Sequence, residues 1–319
     1  MIPFDSWDGI NDYSGTLELT MLERYFGPAA IVFSSYHASI SAILEILGSR
    51  SNDIPVILPV TISPEVLSGV LRSGATPFLL DIEPNHFQID PELLKEVIGE
   101  LNGGVIILNR PAGIPVNPEL LEICKDLPTI IDTRLPPSLD IEADCVGSFS
   151  VFDFAPIIGS GALIIHRFAQ QVNELKMVRN GLLGLSANLN DALSALASKR
   201  LHDDHRLDNY KKTRRTVVGN YIKCLKDRNM EYITGPDDQH MIVSVPDADR
   251  VIAYLHGEGF ALTKPIFPLH MLSHVNKRWA QKPEYPVAES IQNNYVALPV
   301  HAGILEKEAH LISKMSEVT

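Results

Sequence analysis

Asp132 closes the apolar run Thr129-Ile130-Ile131-Asp132. A carboxylate at the end of a buried strand stands where ligands of open α/β sheets bind, just beyond the strand's carboxyl end. The same residue type also starts turns and caps helices, so the position alone leaves both readings open. Ser34 and Ser35 stand beside His37, the residue types of a nucleophile and its base, but no nucleophile-elbow motif surrounds them. His202-Asp203-Asp204-His205 puts two histidines three apart on one face of an expected helix. A metal ion accepts such a pair; a solvated helix face has the same make-up and is the preferred reading. His270 and His274 have i, i+4 spacing. The densest basic segment, Lys211-Lys212-Thr213-Arg214-Arg215, follows Asp203, Asp204 and Asp208 and reads as a solvated helix face.

The elements that must position these residues alternate between two periods. Strands are expected over Pro55–Leu58, Thr76–Ile82, Val105–Leu108, Thr129–Asp132, Phe149–Phe154 and Ala162–Ile165, and helices over Ser39–Leu47, Pro64–Ser73, Pro91–Leu101 and Pro118–Lys125. Pro64, Pro91 and Pro118 begin their helices, where the missing N–H has no helical partner to lose. Strands alternating with helices imply a mostly parallel sheet covered on both faces. A long helical region from about Asn190 to Asp227, broken once, leads to a strand (Met241–Val245), a helix (Ala248–Gly257), a strand near Phe260–Thr263 and a terminal helix from Glu306. The expected division is a large α/β domain over 1–230 and a smaller α+β domain over 231–319.

The 319 residues are 45% hydrophobic and 21% charged, with a formal net charge of -12. That balance fits a globular protein and disfavours binding to a phosphate backbone, so no nucleic-acid partner is expected. No apolar run reaches bilayer length, and the acidic start MIPFDSWDGINDYSG has no basic n-region, so neither a membrane span nor a secretory signal is expected. Cys124, Cys145 and Cys224 have no paired or metal-type spacing, which suits a reducing, cytoplasmic setting.

Several segments, in order along the chain, resemble the DegT–StrS family of sugar aminotransferases, which use pyridoxal phosphate (PLP) and have the fold-type-I architecture. Ser35-Tyr36-His37-Ala38-Ser39, running into a helix that ends at Leu47-Gly48, is similar to the SGTAA…LG phosphate-binding turn. Ser73-Gly74-Ala75-Thr76-Pro77-Phe78-Leu79-Leu80-Asp81-Ile82 resembles VGATPVFVDID, and Ile130-Ile131-Asp132-Thr133 resembles VIEDAA. Ser150-Val151-Phe152-Asp153-Phe154-Ala155-Pro156 is similar to FSFxPTK. Pro268-Leu269-His270, Tyr285-Pro286-Val287-Ala288-Glu289 and Leu298-Pro299-Val300 look like the PLH, FPxAE and LPLH elements. The resemblance implies a fold-type-I, seven-stranded-type sheet sandwiched by helices. It also implies Asp132 as partner of a pyridinium nitrogen, and a dimer that shares its sites.

The chain departs from the family where the cofactor would be held. Ile158 occupies the place of the Schiff-base lysine, and no lysine lies between Lys125 and Lys176 to replace it. Isoleucine forms no imine and moves no proton. Asp153 replaces a phosphate-binding serine, and two like charges a few ångströms apart repel by about 1 kcal/mol even in water. Tyr36 and His37 replace a glycine and a threonine, Thr133-Arg134-Leu135 replaces AAQ, and Ser186-Ala187-Asn188-Leu189-Asn190-Asp191 lacks the arginine of NYRMSE.

The expectation is therefore a catalytically silent relative with a degenerate pocket (Asp132, Ser35, Tyr36, His37, Asp153) and no cofactor. Pyridoxamine phosphate (PMP) or PLP would bind in it only weakly and without a covalent bond. Arg134, Lys264 and His270 are the candidate contacts to a nucleotide-sugar-like anion; the preferred reading of Arg134 and Lys264 is exposed surface cations, and His270 is structural or substrate-lining. The rival expectations are an active PLP- or PMP-dependent aminotransferase or dehydratase acting on a nucleotide-linked keto sugar, and an unrelated activity around His37, Asp132 and Arg134. The expected partners are a second copy of the chain or an active paralogue.

Overall fold

The computed structural model describes residues 18–27, 29–48, 55–101, 103–133, 149–153, 161–166, 169–182, 187–202, 204–235, 240–280 and 284–319. Helix α1 (Glu18–Phe26) leads into strand β1 (Ala30–Phe33) and helix α2 (Tyr36–Ile46). Strands β2 (Pro55–Pro59), β3 (Thr76–Leu80), β4 (Val105–Asn109) and β5 (Thr129–Thr133) then alternate with helices α3 (Pro64–Arg72), α4 (Pro91–Leu101) and α5 (Pro118–Cys124). Strands β6 (Phe149–Asp153) and β7 (Ala162–Ile165) complete a seven-stranded sheet in the order β1-β7-β6-β5-β4-β2-β3. The pairs from β3 through β6 are parallel, and β7 runs antiparallel to both β6 and β1. This is the mostly parallel α/β sheet expected from the alternating pattern.

The helix starts follow local chemistry. Ser63 Oγ accepts the Val66 N–H at 3.3 Å, Asn117 Oδ1 accepts the Glu119 N–H at 3.0 Å, and proline opens α3, α4 and α5. Helix α2 is different: the side chain of its N-cap residue, Ser35, makes no capping hydrogen bond.

Strand alternation divides the core in two. Ile107, Ile130 and Val151 lie in one buried cluster with Tyr36, Ile40 and Ile43 of α2, while Leu108 and Ile131 lie in a second with Leu94 and Leu120. A two-residue period then places Asn109 and Asp132 on the α2 face, beside Ile107 and Ile130. The outer edge of β1 is closed by side chains. Glu23 Oε1 accepts the Val32 N–H at 2.9 Å, and Arg179 from α6 (Ala169–Arg179) donates to the Val32 carbonyl at 3.0 Å and to Glu23. Both charges are buried, and together they satisfy backbone groups that an edge strand otherwise leaves open.

Helices α7 (Asp191–His202) and α8 (Asp204–Lys226) occupy the expected long helical region. Beyond them, β8 (Tyr232–Thr234), β9 (Met241–Ser244) and β10 (Tyr295–Leu298) form an antiparallel sheet in the order β10-β9-β8. Helices α9 (Ala248–Gly257), α10 (Ser273–Trp279), α11 (Pro286–Asn294) and α12 (Glu308–Met315) complete this part. Its core takes Val217, Tyr221 and Leu225 from α8 together with Met241, Val243 and Leu311. The strand expected near Phe260–Thr263 is only a single bridge, Thr263 to Ala297. Among the described residues no helix is long and apolar enough to cross a membrane.

Candidate active site

Asp132 lies at the carboxyl end of β5, in register with Asn109 of β4 and Val151 of β6. It is only 3% exposed, so its carboxylate needs hydrogen-bond donors within the protein. Tyr36, the first residue of α2, supplies one: its hydroxyl donates to Asp132 Oδ1 and lies 3.0 Å from the Val151 carbonyl oxygen. Thr133 Oγ1 donates to the same carbonyl at 3.0 Å, and the Arg110 N–H donates to the Asp132 carbonyl at 3.0 Å. The Tyr36 ring is buried between α2 and the sheet.

Two further features surround this contact. Asn109, 8% exposed and on the same sheet face, has a buried Oδ1 with no hydrogen-bond partner among the described residues. Its carboxamide was not among the residues picked from the sequence. The run Val105–Leu108 marked a strand, but nothing local showed that the next residue would lie beside Asp132. At the start of α2, Ser35 Oγ lies 3.3 Å from His37 Nε2, and Ser39 Oγ donates to the Tyr36 carbonyl at 2.6 Å. Burial lowers the His37 pKa from its ordinary value; the Arg72 charge adds to this and Glu65 opposes it. A neutral imidazole, serine hydroxyls and helix-start N–H groups form a surface that suits an anion.

The other sequence-selected residues lie as follows. Lys264 is half-buried and pairs with Asp249 at 2.9 Å. His270 is buried; its Nε2 lies 2.7 Å from Glu289 Oε1 and its ring packs 4.7 Å from that of Tyr285. Among the described residues His270 Nδ1 has no hydrogen-bond partner. His274, four residues on, is exposed. Among the described residues no three metal-type side chains come together. Arg134 and Ile158 fall outside the described residues. Asp153 enters only through its backbone, which pairs with Ala162 at the end of β6.

Comparison with known proteins follows the same architecture. A model of the DegT/DnrJ/EryC1/StrS aminotransferase family matches residues 17–131 and 157–316. The pleiotropic regulatory protein of Geobacillus stearothermophilus is 21% identical over 277 residues, spanning 78% of this chain and 74% of that protein. A Streptococcus pneumoniae protein assigned as a sugar aminotransferase, solved in its PMP form, has a TM-score of 0.82 at 18% identity, covering 96% of this chain and 90% of that one. PseC of Helicobacter pylori, an aminotransferase of pseudoaminic acid biosynthesis, has a TM-score of 0.81 at 17% identity, covering 97% and 94%.

These relatives correct one expectation. The streptococcal protein is known in both PMP and PLP forms, and that overturns the expectation of a cleft without a cofactor. The match over both stretches of sequence, together with this sheet, shows that the chain belongs to the DegT/DnrJ/EryC1/StrS aminotransferase family.

Proposed function

We propose that this chain binds PLP or PMP between the start of α2 and the carboxyl ends of β4, β5 and β6, and takes a nucleotide-linked sugar in the same cleft. The observation that carries this reading is the buried Asp132 carboxylate facing the uncapped N-terminus of α2. The donor set fits the group. Asp132 would hold the ring nitrogen as a pyridinium, and the first-turn N–H groups of α2, with Ser35 and His37, would hold the phosphate. Asn109 Oδ1, without a partner among the described residues, offers a further acceptor on the same face. Bound there, the cofactor supplies an electron sink next to the sugar.

The attachment is read as non-covalent. No lysine occurs between Lys125 and Lys176, so the connection after β6 carries no amine to bond the cofactor aldehyde. The chain on this reading is silent in lysine-dependent transamination, and acts by holding a nucleotide sugar or by pairing with a second copy or an active paralogue. Arg134 and Lys264 are the cations assigned to the sugar diphosphate, Lys264 by exchanging its Asp249 partner. His270 is assigned a supporting place beneath that site, through Glu289.

The test is to add PLP, record the visible spectrum, reduce with borohydride and search for a modified lysine by mass spectrometry. The expected result is a bound, dialysable chromophore and no lysine adduct. A specific adduct on a cleft lysine overturns the silent reading and favours an active aminotransferase. Absence of any bound chromophore overturns the cofactor assignment. Nucleotide sugars should raise the melting temperature, and Arg134→Ala or Lys264→Ala should remove that rise.

A further inference from the structure

We infer that the Tyr36 phenol takes the hydrogen bond on Asp132 that a cofactor ring nitrogen would make, so that Tyr36 sets the chain's affinity for vitamin B6 phosphates by having to leave Asp132 before they can bind. The inference rests on the reading of Asp132 as the pyridinium partner. It goes beyond that reading in naming a residue that competes for the site.

Three observations support it. The Tyr36 hydroxyl donates to Oδ1 of Asp132 and lies 3.0 Å from the Val151 carbonyl oxygen, which seats the phenol on the sheet beside the carboxylate. The ring is 5% exposed and lies in the cluster that fills the space between α2 and the sheet, on the face that alternation gives to Asp132. Tyr36 also begins α2, so the helix start that would receive a phosphate and the side chain that covers Asp132 belong to one residue. A phenol O–H and a pyridinium N–H both donate to a carboxylate oxygen, and the buried Tyr36 ring fills the space beside Oδ1 from which a ring nitrogen would donate. A hydrogen bond to a charged group in a buried site is among the stronger ones, so breaking it takes a measurable share of the binding free energy.

The experiment uses the full chain and PMP, which has no aldehyde to react. PMP affinity is measured by titration calorimetry for wild type, Tyr36→Phe, Tyr36→Gly and Asp132→Asn, and for Tyr36→Phe combined with Asp132→Asn. Tyr36→Phe should bind PMP roughly tenfold more tightly than wild type, since no hydrogen bond to Asp132 must be broken. Tyr36→Gly should gain further, because no ring remains to be moved. The gain from Tyr36→Phe should vanish in the Asp132→Asn background. Without ligand, Tyr36→Phe should unfold at a lower temperature than wild type.

A wild-type measurement covers the case in which the glycine variant does not fold. In protein grown with 3-fluorotyrosine, the fluorine resonance missing from Tyr36→Phe should shift when PMP is added. If Tyr36→Phe and Tyr36→Gly bind PMP with wild-type affinity, or that resonance stays in place while PMP binds, the inference is overturned and the cofactor assignment stands. If no form of the protein binds PMP, both are overturned.

Discussion

Asp81 caps a helix that begins more than two hundred residues later: its Oδ1 accepts the N–H of Ala288 at 3.0 Å, and its Oδ2 accepts that of Val287 at 3.1 Å. Oδ1 also accepts the N–H of Ile82, at 2.9 Å. Tyr285, the residue that precedes α11, offers no side-chain cap of its own. The carboxylate just past β3 therefore does what a local N-cap residue does elsewhere, and it joins the large sheet to the C-terminal helices. Asp81→Ala should cost about 0.5–2 kcal/mol, the range measured for lost N-caps, and lower the melting temperature by a few degrees. Asp81→Asn, which keeps one acceptor oxygen, should lose less.

The ion pair behind β1 predicts a different pattern. Glu23 and Arg179 are both buried, and each also holds one backbone group of Val32. Arg179→Met leaves the Glu23 carboxylate buried with Lys176 at 3.6 Å as its remaining cation among the described residues. Removing one partner of such a pair costs about 3–5 kcal/mol. Urea unfolding should show that loss for Arg179→Met, and Arg179→Met combined with Glu23→Gln should recover part of it. Additive losses would show that the two side chains are not coupled.

Gly69 lets α3 lie directly against the start of α2. A Cβ at this position would stand 2.7 Å from Ile40 Cβ and 2.8 Å from the His37 carbonyl oxygen. Gly69→Ala should therefore destabilise the chain by about 1–3 kcal/mol through overpacking. Because the displaced backbone is the helix start, PMP affinity should fall in the same variant. Gly99→Ala, with open space around the added carbon, is the control expected to leave that affinity unchanged.

His37 makes a prediction about pH. Burial holds its imidazole below the ordinary value of 6.5, so the folded chain resists protonation where the unfolded chain accepts it. Below about 6.5 the unfolded state binds more protons, and stability falls as pH drops through that window. The fall in unfolding midpoint between about pH 7.5 and pH 5.5 should be smaller in His37→Gln than in wild type. An equal fall in both would show that other groups carry the acid sensitivity.

Glu289 has the opposite sign. The Tyr285 N–H, bound at 3.1 Å, and His270 hold its carboxyl below the ordinary value, against the effect of burial. Its contribution to stability is present above about pH 4.5 and is lost as pH falls through the folded-state value. Glu289→Gln should flatten stability against pH in the acid range, as read from midpoints between about pH 5 and pH 3.

The order of strands and helices was readable because it rests on local periods. Runs such as Val105–Leu108 and Thr129–Asp132 are short, apolar and bounded by turn residues, and prolines mark the helix starts. The candidate carboxylate was readable for the same reason: Asp132 ends such a run. Strand β1, four residues long, carried too little pattern to be picked out, and the Phe260–Thr263 run looked like a strand but pairs only once, through Thr263. Both outcomes depend on which neighbours the folded chain supplies.

Composition and periodicity by themselves determined that this chain is an α/β sheet protein with a carboxylate at a strand's end and no lysine in the segment that follows. Only the tertiary structure decided what faces that carboxylate. Tyr36 and Asp132 lie 96 positions apart, and the phenol reaches Oδ1 because α2 packs its first residue against the end of β5 and against Val151 of β6. Asn109 likewise gained its place beside Asp132 from the pairing of β4 with β5. Periods of two and 3.6 residues are written along the chain, but the choice of long-range partner follows from packing whole faces together, and no local pattern records it.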